Sequence, residues 1–76
     1  MAREIDKRFG AFIRTMRRMK QLTQEALTDR AGIDRSFYSN IECGQARVSL
    51  AMIENIARAF EISPGELISL MENGKH

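Results

Sequence analysis

Between Leu22 and Gly44 the chain alternates helix-start and helix-stop signals at short range, and this punctuation constrains its fold more than any other feature. Thr23 is a good N-cap, because a threonine oxygen can accept from the unbonded amides of a first helical turn. Gly32 suits the left-handed residue that commonly ends a helix. Only Ile33 separates it from Asp34, a second N-cap residue, and the segment that follows runs to Cys43, where Gly44 stops it. The pattern predicts two short helices, over about 24–31 and 35–43, joined by a tight glycine-containing turn.

The flanking sequence is helical as well. Ile5, Phe9, Phe12, Ile13 and Met16 recur at the spacing of one helix face, which predicts an amphipathic first helix over about 4–19 with arginine and lysine opposite. Gly10 within it costs about 1 kcal/mol relative to alanine, so it marks either a close helix approach or a tolerated accident. Ser49 caps a segment over about 50–60 with apolar Leu50, Ile53, Ile56, Ala57 and Phe60. Ser63-Pro64-Gly65-Glu66 is a helix-start signal: a cap, a proline at the first helical position and a glutamate placed to complete a capping box. The fifth helix is expected over about 64–72, ending near Asn73-Gly74. No window alternates apolar and polar residues as a strand does, so the expected class is all-α, a single compact domain over residues 1–76.

A chain of 76 residues supports one core, and chains this short commonly supplement it with disulfides, a metal or a partner subunit. Cys43 is the only cysteine and His76 the only histidine, so neither an intrachain disulfide nor a zinc cluster is expected, and oligomerisation remains. Cys43 itself reads as a small buried or half-exposed thiol rather than a redox sensor, since nothing places a base beside it. There is no nucleophile with a base, no carboxylate pair in a cleft and no phosphate loop, so neither an enzyme nor a cofactor or small-molecule ligand is expected. Met1 to Gly10 is charged and lacks an apolar run, which fits neither a signal peptide nor a membrane span and predicts a cytoplasmic protein. Of the five methionines, Met1 is the initiator, and Met16, Met19, Met52 and Met71, at helix spacing, read as core filling rather than an adaptable binding surface.

Charge is unevenly spread. Arg3, Lys7, Arg8, Arg14, Arg17, Arg18 and Lys20 face only Glu4 and Asp6 in the first 20 residues, whereas residues 48–76 carry two bases against four acids. The basic half suits a polyanion, and equally suits a merely solvated helix face. The second short helix tips the balance, because helix, turn, helix is the unit that sets its second member in the major groove of DNA. If Tyr38 and Ile41 face the core, then Arg35, Ser36, Ser39 and Asn40 face outward. Arginine can chelate guanine, asparagine can pair with adenine and serine can do either, a set suited to base edges. Phe37 either touches a thymine methyl or sugar, or simply packs. The hydroxyl of Tyr38 must find a partner or reach the surface.

Ile13-Arg14, Arg17, Leu22-Thr23-Gln24-Glu25-Ala26-Leu27, Ala31-Gly32, Ser36, Ser39, Ile41-Glu42 and Gly44 together resemble the helix-turn-helix of the Xre family. That family includes lambda-type phage repressors, Cro proteins and the small controller proteins of restriction-modification systems. The resemblance covers about residues 9–70, and the run Asp34-Arg35-Ser36-Phe37-Tyr38-Ser39 is most similar to the controller proteins. It implies a five-helix lambda-repressor-like domain and a transcriptional regulator that binds double-stranded DNA, at an inverted-repeat operator, as a homodimer. It further implies that Arg35, Ser36, Ser39 and Asn40 meet bases, and that Gln24, Gln45 and Arg47 meet the DNA backbone. Arg17 is implied to pair with Glu42 while lying near a phosphate. Tyr38 stands where the family usually has an aliphatic residue, and Cys43 where it often has arginine, lysine or asparagine.

The acidic half of the chain is the part that DNA would repel, and Leu67, Ile68, Leu70 and Met71 cover too much of a short helix for all to point inward. Met52, Ile68 and Met71 are therefore the expected dimer contacts. The rival reading is a protein-interaction module such as an antitoxin, which would need a further partner-binding segment.

Overall fold

The computed structural model describes residues 3–74. The outer residues of the expected domain, including Met1 and His76, lie outside the described residues. Five helices follow one another: α1 Glu4–Met19, α2 Gln24–Ala31, α3 Arg35–Glu42, α4 Leu50–Ala59 and α5 Pro64–Asn73. No strand occurs among the described residues. The expected helices differ from these by a residue at most, with Cys43 and Phe60 acting as C-caps just beyond α3 and α4. Among the described residues, no helix is long and apolar enough to cross a membrane.

Each anticipated cap forms. Thr23 Oγ1 accepts from Ala26 N at 3.0 Å, Asp34 Oδ2 from Phe37 N at 3.0 Å, Ser49 Oγ from Met52 N at 3.1 Å and Ser63 Oγ from Glu66 N at 3.0 Å. The return bond that Glu66 would add is not made, leaving Ser63 as a simple cap. Gly32 and Gly44 end α2 and α3 with φ of 68° and 75°. The ends of α1 and α4 use the same left-handed geometry without glycine, at Gln21 (φ 58°) and Glu61 (φ 63°). In both, the next amide reaches back to the last turn, Leu22 N to Arg17 O at 3.1 Å and Ile62 N to Ala57 O at 3.0 Å.

The core gathers Phe9, Ile13, Leu27, Ile33, Tyr38, Ile41, Ile56, Phe60, Leu67 and Met71. Here α1 packs across α3, α2 lies between α3 and α4, and α5 closes the bundle on α4. A Cβ at Gly10 would collide with the carbonyl oxygen of Ile41, so backbone meets backbone where α1 crosses the end of α3. Two expectations are corrected. Met19 is 77% exposed, because it falls on the outer flank of the last turn of α1, and so it fills no core. Met71 is only 8% exposed and packs in the core, which removes it from the expected dimer contacts.

Candidate nucleic-acid interface

One face of α3 is anchored and the other is open. Tyr38 and Ile41 are completely enclosed and Glu42 is buried, while Arg35, Ser36, Phe37 and Asn40 are exposed and Ser39 is half-buried. The 3.6-residue period separates these two sets. Asp34 ties down the first turn through its cap, so the amides that begin α3 and the side chains of Arg35 and Ser36 emerge together. The expected base-contacting residues thus share one surface, with Ser39 the most recessed.

The attitude of α3 is set by Glu42. Its carboxylate takes Arg17 Nε on Oε2 at 2.6 Å and Arg17 Nη2 on Oε1 at 3.1 Å, a bidentate pair spanning α1 and α3. Arg17 Nη1 donates to Leu22 O at 2.7 Å and Gln24 Nε2 donates to Glu42 Oε1 at 3.1 Å, which brings the start of α2 into the same knot. Burial alone would push the Glu42 carboxyl up, but the donors around it, Arg17 foremost, hold it below its usual value. The same hydrogen bond to Glu42 raises Arg17, so the pair is ionised. The implied pairing is present. Each Arg17 nitrogen makes one hydrogen bond in this knot, which leaves two of the five guanidinium N–H groups of a side chain 11% exposed, so the pairing does not exclude the implied phosphate contact. Gln24 is half-buried, and its amide is also engaged there. The Tyr38 hydroxyl reaches neither the surface nor a partner.

Gln45 and Arg47 are both exposed on the loop after α3. That loop is pinned at two points. Gly44 lies so close to α1 that a Cβ there would sit 3.0 Å from Lys7 Cα. Further along, buried Asp6 accepts from Val48 N at 3.0 Å, while it also accepts from Arg3 N at 3.0 Å and Arg3 Nε at 2.8 Å. The Arg3 hydrogen bond, then that of Val48, holds the Asp6 carboxyl far below the usual carboxylate range. Sequence reading passed over Asp6, although a signal was there: Asp6 and Arg17 fall on the apolar stripe of Phe9 and Ile13, where a charge survives only if paired. It also missed Arg58, which reaches from α4 to bond Ala31 O at 3.2 Å and so satisfies the end of α2 beside the turn.

Away from this face, α4 and α5 carry a mostly apolar groove with Glu54 on its wall. Leu50 is 85% exposed and forms this shallow groove with Ala51, Ile53, Pro64 and Ile68; Met52 and Ile68 are half-buried.

The geometry is that of a helix-turn-helix, and comparison with known proteins agrees. The family described as a helix-turn-helix domain matches residues 10–72. The control protein C.MunI of a Mycoplasma species is 37% identical over 70 residues, covering 91% of this chain and 95% of that protein. The chain belongs to the helix-turn-helix control proteins. Among solved structures of this family, the restriction-modification controller protein C.AhdI of Aeromonas hydrophila superposes with a TM-score of 0.79 at 40% identity, over 86% of this chain and 98% of that one. A Y37F mutant of the restriction-modification controller protein C.Esp1396I superposes with a TM-score of 0.85 at 25% identity, over 95% and 91% of the two chains. Like these control proteins, the chain is a DNA-binding helix-turn-helix regulator, as the resemblance around Leu22–Gly44 implied.

Proposed function

We propose that the protein regulates transcription by binding an inverted-repeat operator as a homodimer, with α3 in the major groove. The observation that carries this reading is the exposed set Arg35, Ser36 and Asn40 on a helix whose opposite face is fully enclosed and whose tilt is held by the Arg17–Glu42 pair. Arg35 is the guanine reader and Asn40 the adenine reader, with Ser36 and the recessed Ser39 completing the contacts. Arg47, Gln45 and Gln24 grip phosphates, and Phe37 lies against sugar or a thymine methyl.

A single recognition helix reads few base pairs, and single modules bury limited surface. A second copy docked on the groove lined by Leu50, Ile53, Glu54 and Ile68, with half-buried Met52 on the same helix, doubles both. Two-fold symmetry then sets half-sites about one helical turn, roughly 10 base pairs, apart. Selection of bound duplexes from a random pool should recover inverted repeats at that spacing, and sedimentation equilibrium at micromolar concentration should find a dimer. Leu50→Glu should dissociate the dimer while the monomer stays folded, because Leu50 lies almost wholly in solvent. A protein that stays monomeric yet binds one half-site as tightly as the repeat would overturn the reading.

A further inference from the structure

The hydroxyl of Tyr38 is the one buried side-chain polar atom without a hydrogen-bond partner among the described residues. Tyr38 is fully enclosed, so bulk water does not serve it. A dry, unpaired hydroxyl is unfavourable, and phenylalanine would fill nearly the same volume without it. Tyr38 and Glu42 are one helical turn apart on α3, a spacing that sets side chains next to one another. The phenol lies beside the Glu42 carboxylate and the Arg17 guanidinium, yet it makes a well-formed hydrogen bond to neither. Burial raises its pKa, so it remains a donor. The carboxylate is occupied by two nitrogens of Arg17 and by the Gln24 amide. Of these, Arg17 is buried and bidentate, whereas Gln24 is half-exposed at the first residue of α2. Gln24 is therefore the donor that can leave.

We propose that the Tyr38 hydroxyl is a reserve donor to Glu42, taking the place of the Gln24 amide when that amide turns outward to a DNA phosphate. The destination of Gln24 rests on the DNA-binding reading above; the exchange of donors is a property of the protein alone. Glu42 stays saturated in either arrangement, so recruiting Gln24 does not loosen the link between α1 and α3. Tyr38 is in this sense a positioning residue, acting on DNA only through Glu42 and Gln24.

The chain has one tyrosine and no tryptophan, so its near-ultraviolet spectrum reports Tyr38 alone. In the DNA-free protein, Gln24→Ala should force the exchange and shift the tyrosine absorption and emission to the red, as donation to a carboxylate does. Tyr38→Phe should leave the folding equilibrium of the otherwise unaltered protein within about twofold, and weaken it about fivefold in the Gln24→Ala background, the worth of one net hydrogen bond. On a duplex recovered by the unaltered protein from a random pool, Tyr38→Phe should bind several-fold more weakly, with Arg35→Ala as the independent check on the DNA-binding reading. An unmoved spectrum in Gln24→Ala, or equal effects of Tyr38→Phe in both backgrounds, would overturn the exchange. Unchanged DNA affinity of Tyr38→Phe beside a weakened Arg35→Ala would overturn its phosphate half.

Discussion

Arg17 and Glu42 form a buried ion pair, and such pairs have a distinctive response to being broken. Their side chains are 11% and 3% exposed, so removing either partner leaves the other as a nearly dry charge. That costs about 3–5 kcal/mol, whereas replacing both by apolar residues of similar volume is often neutral or better. A domain of this length has a total stability of roughly 4–11 kcal/mol, so each single loss consumes much of it. We expect Arg17→Met and Glu42→Leu each to cost about 3 kcal/mol or more, and the double variant to cost less than either. Urea unfolding followed by helical circular dichroism is the assay. With a slope near 1 kcal/mol per molar, each single variant should lower the midpoint by about 3 M and the double should recover most of that. If a single variant is already unfolding in buffer, an excluded osmolyte such as sucrose can restore a folded baseline for the whole cycle. Costs that simply add, within about 0.5 kcal/mol, would refute the reasoning, since residues that do not interact are additive to that extent.

Asp6 and Glu42 both titrate below their unfolded values, so in acid the unfolded chain binds more protons than the folded one and stability falls with pH. Thermal unfolding should show that loss from about pH 5 downward, and Asp6→Asn should flatten the profile. Gln21 and Glu61 hold left-handed backbone that glycine adopts without strain, so Gln21→Gly and Glu61→Gly should each raise the melting temperature by a few degrees, about 0.5–1 kcal/mol. Arg35→Ala should weaken binding by about 1–3 kcal/mol and relax preference at one base pair per half-site. Arg47→Ala should weaken all sequences alike and reduce the salt slope by about one, and indistinguishable profiles for these two variants would contradict their assigned roles.

The parts of this molecule that were legible in sequence are those carried by local chemistry. Thr23, Asp34, Ser49 and Ser63 announce helix starts because their short oxygens have few other uses at those positions, and Gly32 and Gly44 announce stops because they take positive φ easily. The ends of α1 and α4 carry no such mark, since Gln21 and Glu61 adopt the same conformation against their preference. Surrounding packing imposes it, and packing is not local. The same limit explains Met71. The spacing of Leu67, Ile68, Leu70 and Met71 showed that the helix had too many apolar residues for one face, but which of them turned inward depended on how α5 rolls on α4. Leu67 and Met71 point in, whereas Leu70 remains 44% exposed. The outward set on α3 was readable because Tyr38 and Ile41 fix its phase unambiguously. That Arg17 needs a partner could be read from its place on the apolar stripe, but that the partner is Glu42 was legible only through family resemblance, because it lies 25 residues away.

The loop after α3 is stitched down at both ends, by the contact of Gly44 with Lys7 and by the bond from Val48 to Asp6. Ordering a residue that was loose beforehand costs about 1–2 kcal/mol of backbone entropy, and a loose loop would incur that at each of several positions on meeting DNA. Here the cost is already met when the chain folds. Gln45 and Arg47 therefore sit on a preset frame, so the phosphate contacts proposed for them require little loss of disorder on the protein side. Such a surface favours quick, reversible sampling of DNA, because each encounter either fits or leaves without waiting for a segment to fold.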